Sequence, residues 1–354
     1  MPGSAPEREA AIRAAFATQK EWCDRSGAPF TGMLCGLIGE RLDRSTEFGG
    51  RVLDWPEDAD PIKDALPLRV CGGLHALVRG GGAPALAALY PPHPFPDEET
   101  LWEVLRPALG DPALLPWLDG PPQTNEVGRS ALLMGGLLTL AAQFPHPVEL
   151  LELGASAGLN LLPDRYGCNL GGRTVGDPAS PVQLQPQWEG APPPHANVTI
   201  ARRRGVDLNP LDPRRDAERL LAYVWADQQE RLARLEAALA IAAADSPRVD
   251  RGDAADWLDA RLAEPPQPGM SRIVFHTVAF DYFPKETQAE VVRRLEETGA
   301  AATAEAPLAW LRFEVEPGQD AFALRLRTWP DGEDRLLALA HPHGSIIRWL
   351  ADHA

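Results

Sequence analysis

Six residues, Val148-Glu149-Leu150-Leu151-Glu152-Leu153, run directly into Gly154-Ala155-Ser156-Ala157-Gly158-Leu159-Asn160. Few folds accommodate that junction. An apolar run bounded by Pro147 and Gly154 marks a short buried strand. Glycine at 154 permits a sharp turn, and the small residues after it let another group approach the backbone. The string therefore predicts a strand-to-helix turn in an α/β sheet, with helix amide ends directed at the crevice beyond the strand.

The chain after Pro147 is consistent with such a sheet. Further candidate strands fall at 198–206, 246–251, 271–278 and 308–315. Helix-like stretches lie between them: one long leucine- and alanine-rich helix over 217–244, a short one over 254–263 and an amphipathic one over 285–298. This alternation predicts a mostly parallel sheet with helices on both faces. Segments 321–329 and 333–340 flank Pro330-Asp331-Gly332 and predict an antiparallel C-terminal hairpin. The glycine- and proline-rich stretch 167–195 predicts a long loop or small excursion. Before Phe144 the apolar residues recur at helical spacing over 7–25, 64–79 and 98–109. The expected organisation is an α-helical domain over 1–144 and a sheet domain over 145–354.

Composition narrows the function. The chain has 354 residues, 44% hydrophobic and 24% charged. That is room for two domains at roughly 150 residues each, and it excludes global disorder. The 34 basic and 50 acidic side chains sum to −16, and such a balance disfavours phosphate backbones. Arg202-Arg203-Arg204 is a local basic string against that background. Cys23, Cys35, Cys71 and Cys168 form no C-x-x-C pair and read as buried thiols of a reducing compartment. The first residues carry acids and no apolar signal core, and the nearly apolar run 131–142 falls short of the ~20 residues that span a bilayer. The expectation is a cytoplasmic protein with a small-molecule substrate, engaging neither nucleic acid nor membrane.

Nucleotide motifs test the turn. A nicotinamide-binding G-x-G-x-x-G needs glycine where Ser156 and Leu159 stand. It also needs an acid about 20 residues on, whereas Asp207 follows Gly154 by 207 − 154 = 53 residues. No P-loop string occurs. The string does resemble the first motif of class I S-adenosylmethionine-dependent methyltransferases: Glu152-x-Gly154-x-Ser156-x-Gly158, with serine in place of the middle glycine. The resemblance covers 148–341 and implies a Rossmann-like methyltransferase sheet that ends in an antiparallel strand. The loop over 316–320 is shorter than that family's usual helix. S-adenosylmethionine would lie against Glu152, Gly154, Ser156, Gly158 and Asn160. Asp207, in GVDLNPLD, would accept both ribose hydroxyls. Asp253, in RGDAADWL, would accept the adenine amino group, with the Ala254 amide facing the ring. The implied function is methyl transfer to a small molecule; the alternative is a non-catalytic or regulatory module that binds the same cofactor. The whole chain is also similar to a bacterial family, domain of unknown function 2332, through QTNEVGRS, LELGASAGLN, GVDLNPLD and FHTVAFDYF.

Each candidate residue carries a plainer reading too. The 154–158 string also reads as a structural turn, though a ligand site at the strand ends is the favoured reading; Asp207 reads as a turn former and Asp253 as a helix cap. His276 at the end of the fourth strand is either a general base toward the methyl acceptor or a hydrogen-bonded core residue. Tyr282 follows it as a candidate pocket wall. Asn125, Glu126 and Arg129 can share one helical face, with Thr124 or Asn125 capping the helix, and can clamp a polar substrate or the cofactor's carboxylate. The N-terminal helices would then act as the lid. No metal is expected: His341-Pro342-His343 has no third ligand at readable spacing and reads as a turn.

Overall fold

The computed structural model describes residues 5–56, 58–59, 64–316 and 321–351. They divide into two compact units, one drawn from 1–124 and 216–233, the other from 125–215 and 234–354.

The first unit is helical. Helices Ala5–Arg25, Pro29–Arg41, Glu47–Leu53, Leu66–Arg79 and Glu98–Ala108 enclose a core that includes Phe16, Phe30, Leu34, Ile38, Leu66, Leu74 and Leu105. Helix Pro29–Arg41 escapes the periodicity reading because Gly32, Gly36 and Gly39 dilute its apolar pattern. Those glycines let it lie against Ala5–Arg25: a Cβ on Gly39 would come within 2.9 Å of Phe16 Cβ. Pro29 suits its first turn, where an amide would go unpaired anyway. Ala28 offers no capping side chain, and the cap comes from far along the chain. Asp227 accepts from the Phe30 amide at 2.7 Å, the Thr31 amide at 3.0 Å and the Thr31 hydroxyl at 2.6 Å.

That contact explains a departure from expectation. The single helix expected over 217–244 is two, Ala217–Ala222 and Gln229–Asp245. The break between them supplies Asp227, the Ala222 and Val224 carbonyls that receive His75 Nδ1–H, and the Tyr223 ring that lies over Gly72.

Among its described residues the second unit holds twelve strands: β1 (Val148–Leu153), β2 (Gly167–Leu170), β3 (Arg173–Gly176), β4 (Gln183–Leu184), β5 (Gln187–Glu189), β6 (Ile200–Asp207), β7 (Arg248–Arg251), β8 (Ser271–Thr277), β9 (Leu308–Val315), β10 (Phe322–Trp329), β11 (Asp334–Ala340) and β12 (Ile346–Trp349). Nine form one sheet in the order β5-β12-β11-β10-β9-β8-β1-β6-β7. From β7 to β9 the strands are parallel; β10, β11 and β12 then alternate, and β5 adds in parallel to β12. The protein is thus mixed α/β, with N-terminal helices and a large, mostly parallel sheet. The hairpin expected at the C-terminus is β10–β11. The stretch 167–195, expected as a loop or excursion, folds as the small sheet β3-β2-β4 and the edge strand β5. Of the loop expected over 316–320, residues 317–320 lie outside those described.

The boundary expected at 144 falls instead at 124/125. Helix Ser130–Gln143 is apolar on every side and buried along nearly its whole length. Such a helix needs cover all round, and it packs on β2, β9 and β10. Compositionally it resembles the helices before it; energetically it is core of the sheet unit.

Candidate functional site

The parallel strands place β1 at the centre, with β6 and β7 on one side and β8 and β9 on the other. Ligands of open α/β sheets bind beyond the carboxyl ends of the strands where the order reverses, here between β1 and β8.

The turn after β1 is built as the small residues require. Gly154 and Gly158 have φ of 72° and 73°, and Ser156 shares the left-handed region at 52°. Only glycine adopts that region without cost, so Ser156 holds local strain. The Gly154 and Ala155 amides both donate to the Val206 carbonyl at the end of β6. The expected helix does not follow. Single 3₁₀ turns at Leu159–Leu161 and Pro163–Arg165 take its place. Pro163 has no amide to continue a helix and restricts Leu162 before it. The Leu159 amide donates to Asn125 Oδ1 at 3.0 Å, and the Leu159 carbonyl accepts from the Tyr166 hydroxyl at 2.8 Å. No α-helix therefore opens directly from this turn.

The loop seats on β6 through its smallest residues. A Cβ on Gly205, paired with Glu152 across the strands, would lie 2.5 Å from Ala155 Cβ. Gly205→Ala is expected to cost about 1–3 kcal/mol, as overpacking does. Adding Ala155→Gly should restore most of it; urea melts of the two singles and the double make the test, and purely additive losses would refute direct contact.

Three side chains of the motif carry buried polar atoms with no partner among the described residues: Glu152 Oε2, Ser156 Oγ and Asn160 Nδ2. Glu152 and Asn160 are each 1% exposed. Buried polar groups are rarely left unpaired, so three in nine residues call for an explanation. Asn160 Oδ1 accepts from the Ser130 hydroxyl at 2.8 Å, which turns its amide nitrogen away unpaired. Burial, and then the negative charge of Asp207, push the Glu152 carboxyl well above the usual carboxylate range, while Arg129 pulls the other way.

Asp207, at the end of β6, accepts from the Ser156 amide at 2.9 Å and the Asn209 amide at 2.8 Å. It clamps the loop and forms its own turn. Asp253 caps helix Ala254–Leu262 through the Ala255 and Asp256 amides and accepts from the Thr287 hydroxyl at 3.1 Å; Ala254 opens that helix.

The cluster before Ser130 belongs to the sheet unit, not to the helical one, and it does not share a helical face. Glu126 caps the 3₁₀ turn Val127–Arg129 by accepting from the Gly128 amide, and helix Ser130–Gln143 starts without the expected cap. Asn125 holds the motif loop instead. Arg129 is buried and donates to the Thr277 carbonyl that ends β8 and to the Pro342 carbonyl, both at 2.9 Å. Asn125 and Asp207 thus hold the motif loop, Ser130 holds Asn160, and the charges of Asp207 and Arg129 act on Glu152. Tyr282 stays outside this cluster, 69% exposed.

His276 is fully buried. Trp310 Nε1–H can only donate, and it reaches His276 Nε2 at 3.0 Å, which puts the ring proton on Nδ1. That proton goes to Glu314 Oε1 at 2.6 Å. The same oxygen accepts the Ala279 and Phe280 amides, and Phe280 stacks on the imidazole at 4.6 Å. Both nitrogens are engaged, so the ring offers no free atom for base catalysis; it anchors the loop after β8. Glu314 and Trp310 escaped the sequence reading. Their signal was period-two alternation with Arg312, which pairs with His276. Val278 in that loop has φ of 50°, a strained value for a β-branched residue. The loop lays Ala279 and Phe283 over Gly154: a Cβ there would be 2.7 Å from Ala279 Cβ.

Fold and site define a mixed α/β protein with a cluster of buried polar side chains at the switch point of its sheet. A family model described as an uncharacterized protein conserved in bacteria (DUF2332) matches residues 13–349, and the chain belongs to that family. No curated protein and no solved structure matches it.

Proposed function

We propose that the chain is an S-adenosylmethionine-dependent methyltransferase acting on a small molecule, with a class I methyltransferase sheet. The observation that carries this reading is the set of unpaired buried atoms on Glu152, Ser156 and Asn160 at the switch point. They are an acceptor, a hydroxyl and a donor, and they complement the ammonium and carboxylate of an amino acid. Glu152 takes the ammonium, and Arg129 with Asn160 takes the carboxylate. Asp207 and Asp253 lie at the carboxyl ends of β6 and β7, in line for the ribose and adenine, and retain acceptor lone pairs beside their protein bonds. The bound cofactor supplies an electrophilic methyl group; the chain positions the acceptor and excludes water. His276 holds the β8 loop and moves no proton.

A second reading, a cofactor-binding module without turnover, draws on two observations: His276 has no free nitrogen, and Ala279 and Phe283 cover Gly154. Titration calorimetry with S-adenosylmethionine, its demethylated product and NAD tests both. Binding of the first two alone is expected. Asp207→Asn should weaken it about 10–100-fold, the worth of a hydrogen bond to a charged group. Absence of binding, or tight NAD binding, overturns the cofactor assignment. Binding without methyl transfer to any small-molecule pool selects the second reading.

A further inference from the structure

The end of the sheet opposite the crevice carries a cavity that the chemistry above does not use. The amino ends of β8 and β9 meet there, and helices Ala254–Leu262 and Lys285–Ala300 end beside them. Ala301, Ala302 and Ala306, in the connection to β9, are too short to fill the space between these elements. They leave a cavity of about 210 Å³, whose wall also takes in Leu262, Met270 and Leu308. A cavity of roughly 150 Å³ takes up benzene, so this one has room for a benzene ring with one small substituent. Glu149 and Arg272 are the charged residues on its wall. Arg272 is held in place: Nε donates to Glu149 at 2.8 Å, and Nη1 donates to the Arg261 and Glu264 carbonyls at 3.1 and 3.3 Å. Its third nitrogen, Nη2, makes no hydrogen bond among the described residues. The charges around Glu149 favour an anion. Of the Arg202-Arg203-Arg204 string, Arg203 is paired with Asp164 and Arg204 with Asp250. Arg202 reaches Glu149 at 3.9 Å, so one carboxylate serves two guanidiniums and a positive charge is left over beside the cavity. The Arg261 and Glu264 carbonyls, which lie at the end of helix Ala254–Leu262 and would repel an anion, are covered by Nη1.

We propose that this cavity is a second ligand site, for a small aromatic monocarboxylate. The ring lies against Leu262, Met270 and Leu308, and the carboxylate accepts from Arg272 Nη2. The guanidinium is fixed before the ligand arrives, so little side-chain entropy is lost on binding. Burial of the ring supplies the apolar part of the affinity, and the charge-assisted hydrogen bond selects the anion. A carboxylate without a ring, such as acetate, loses the first contribution. A neutral ring, such as benzamide, loses the second. A dicarboxylate would set its other charge against Glu149. The site is independent of the cofactor reading: it shares no residue with the crevice, which lies at the carboxyl ends of the same strands.

The chain has four methionines, and the Met270 methyl group reports on this cavity. The test titrates the full chain, isotope-labelled at its methionine methyl groups, with benzoate at neutral pH and follows the methyl signals by NMR. The expected result is a saturable shift of the Met270 signal, half-complete by about 1 mM, with Met33 and Met134 unmoved. Benzamide should bind at least about 10-fold more weakly, for want of the charge, and acetate should leave the signal in place. Ala301→Phe, at an exposed position on the cavity wall, should abolish the benzoate shift by filling the space. Arg272→Lys should weaken benzoate about 10–100-fold, the worth of a hydrogen bond to a charged group, and leave the weak binding of benzamide unchanged. A Met270 signal unmoved by benzoate in the wild type, equal affinity for benzamide, or an unchanged titration in Ala301→Phe overturns the proposal. The wild-type titrations decide the matter even if Arg272→Lys fails to fold.

Discussion

Glu152→Met is expected to make the protein more stable while abolishing the proposed binding of S-adenosylmethionine. The wild-type carboxyl is buried with one oxygen unpaired, and its pKa is raised by burial and by Asp207. A carboxyl with a raised folded-state pKa binds its proton more tightly folded than unfolded. Stability from this group is therefore fullest below the unfolded value of 4.5 and is lost as pH rises toward the folded value. Methionine removes both the titration and the unpaired atom. The gain should be about 1–3 kcal/mol at neutral pH, the cost of an unsatisfied buried polar group. It should shrink as pH falls to about 4, where the carboxyl is protonated in both states. Thermal melts across that range read it directly. A variant that melts lower at neutral pH would mean that Glu152 has a favourable partner within the fold, and would remove the reason for assigning it to a ligand.

His276→Ala is expected to lose roughly 2–4 kcal/mol, combining a ring-sized cavity with stranded partners on Trp310 and Glu314. Glu314 keeps two backbone amides, so its charge is not abandoned. The strained loop at Val278 should loosen first, and amide exchange at Ala279 and Phe280 should speed up more than in the β9 strand itself. A denaturant midpoint equal to wild type would mean that the imidazole is not the anchor of that loop, and would reopen its reading as a base.

The sheet was legible where burial makes strands apolar, and less so elsewhere. β1, β8, β9 and the β10–β11 hairpin read directly because each is a short run of β-formers between breakers. β2–β5 did not, because they are two to four residues long and broken by Gly171, Gly172, Pro178, Pro181 and Pro186, too short to show any period. The helix after the motif was expected from glycine spacing and failed at Pro163. Of the site, the local part was visible: Glu152 and Asn160 stand in one string, and Asp207 in a second, GVDLNPLD. Its long-range part was not. That Arg129 grips the end of β8, or that Glu314 receives His276, follows from strand order, which no local pattern encodes. The roles of Asp207 and Asp253 as backbone acceptors were visible as the plainer alternatives.

The segment 216–233 has a consequence for synthesis. The helical unit is made first, yet the carboxylate that caps Pro29–Arg41 and the carbonyls that receive His75 lie in residues translated about a hundred positions after residue 124. By then β1 and β6 have already been synthesised. The amino-terminal helices therefore wait, incompletely covered, while part of the other unit emerges, and the order of emergence is not the order of completion. Shortening the chain at Arg215 would leave those helices permanently unfinished.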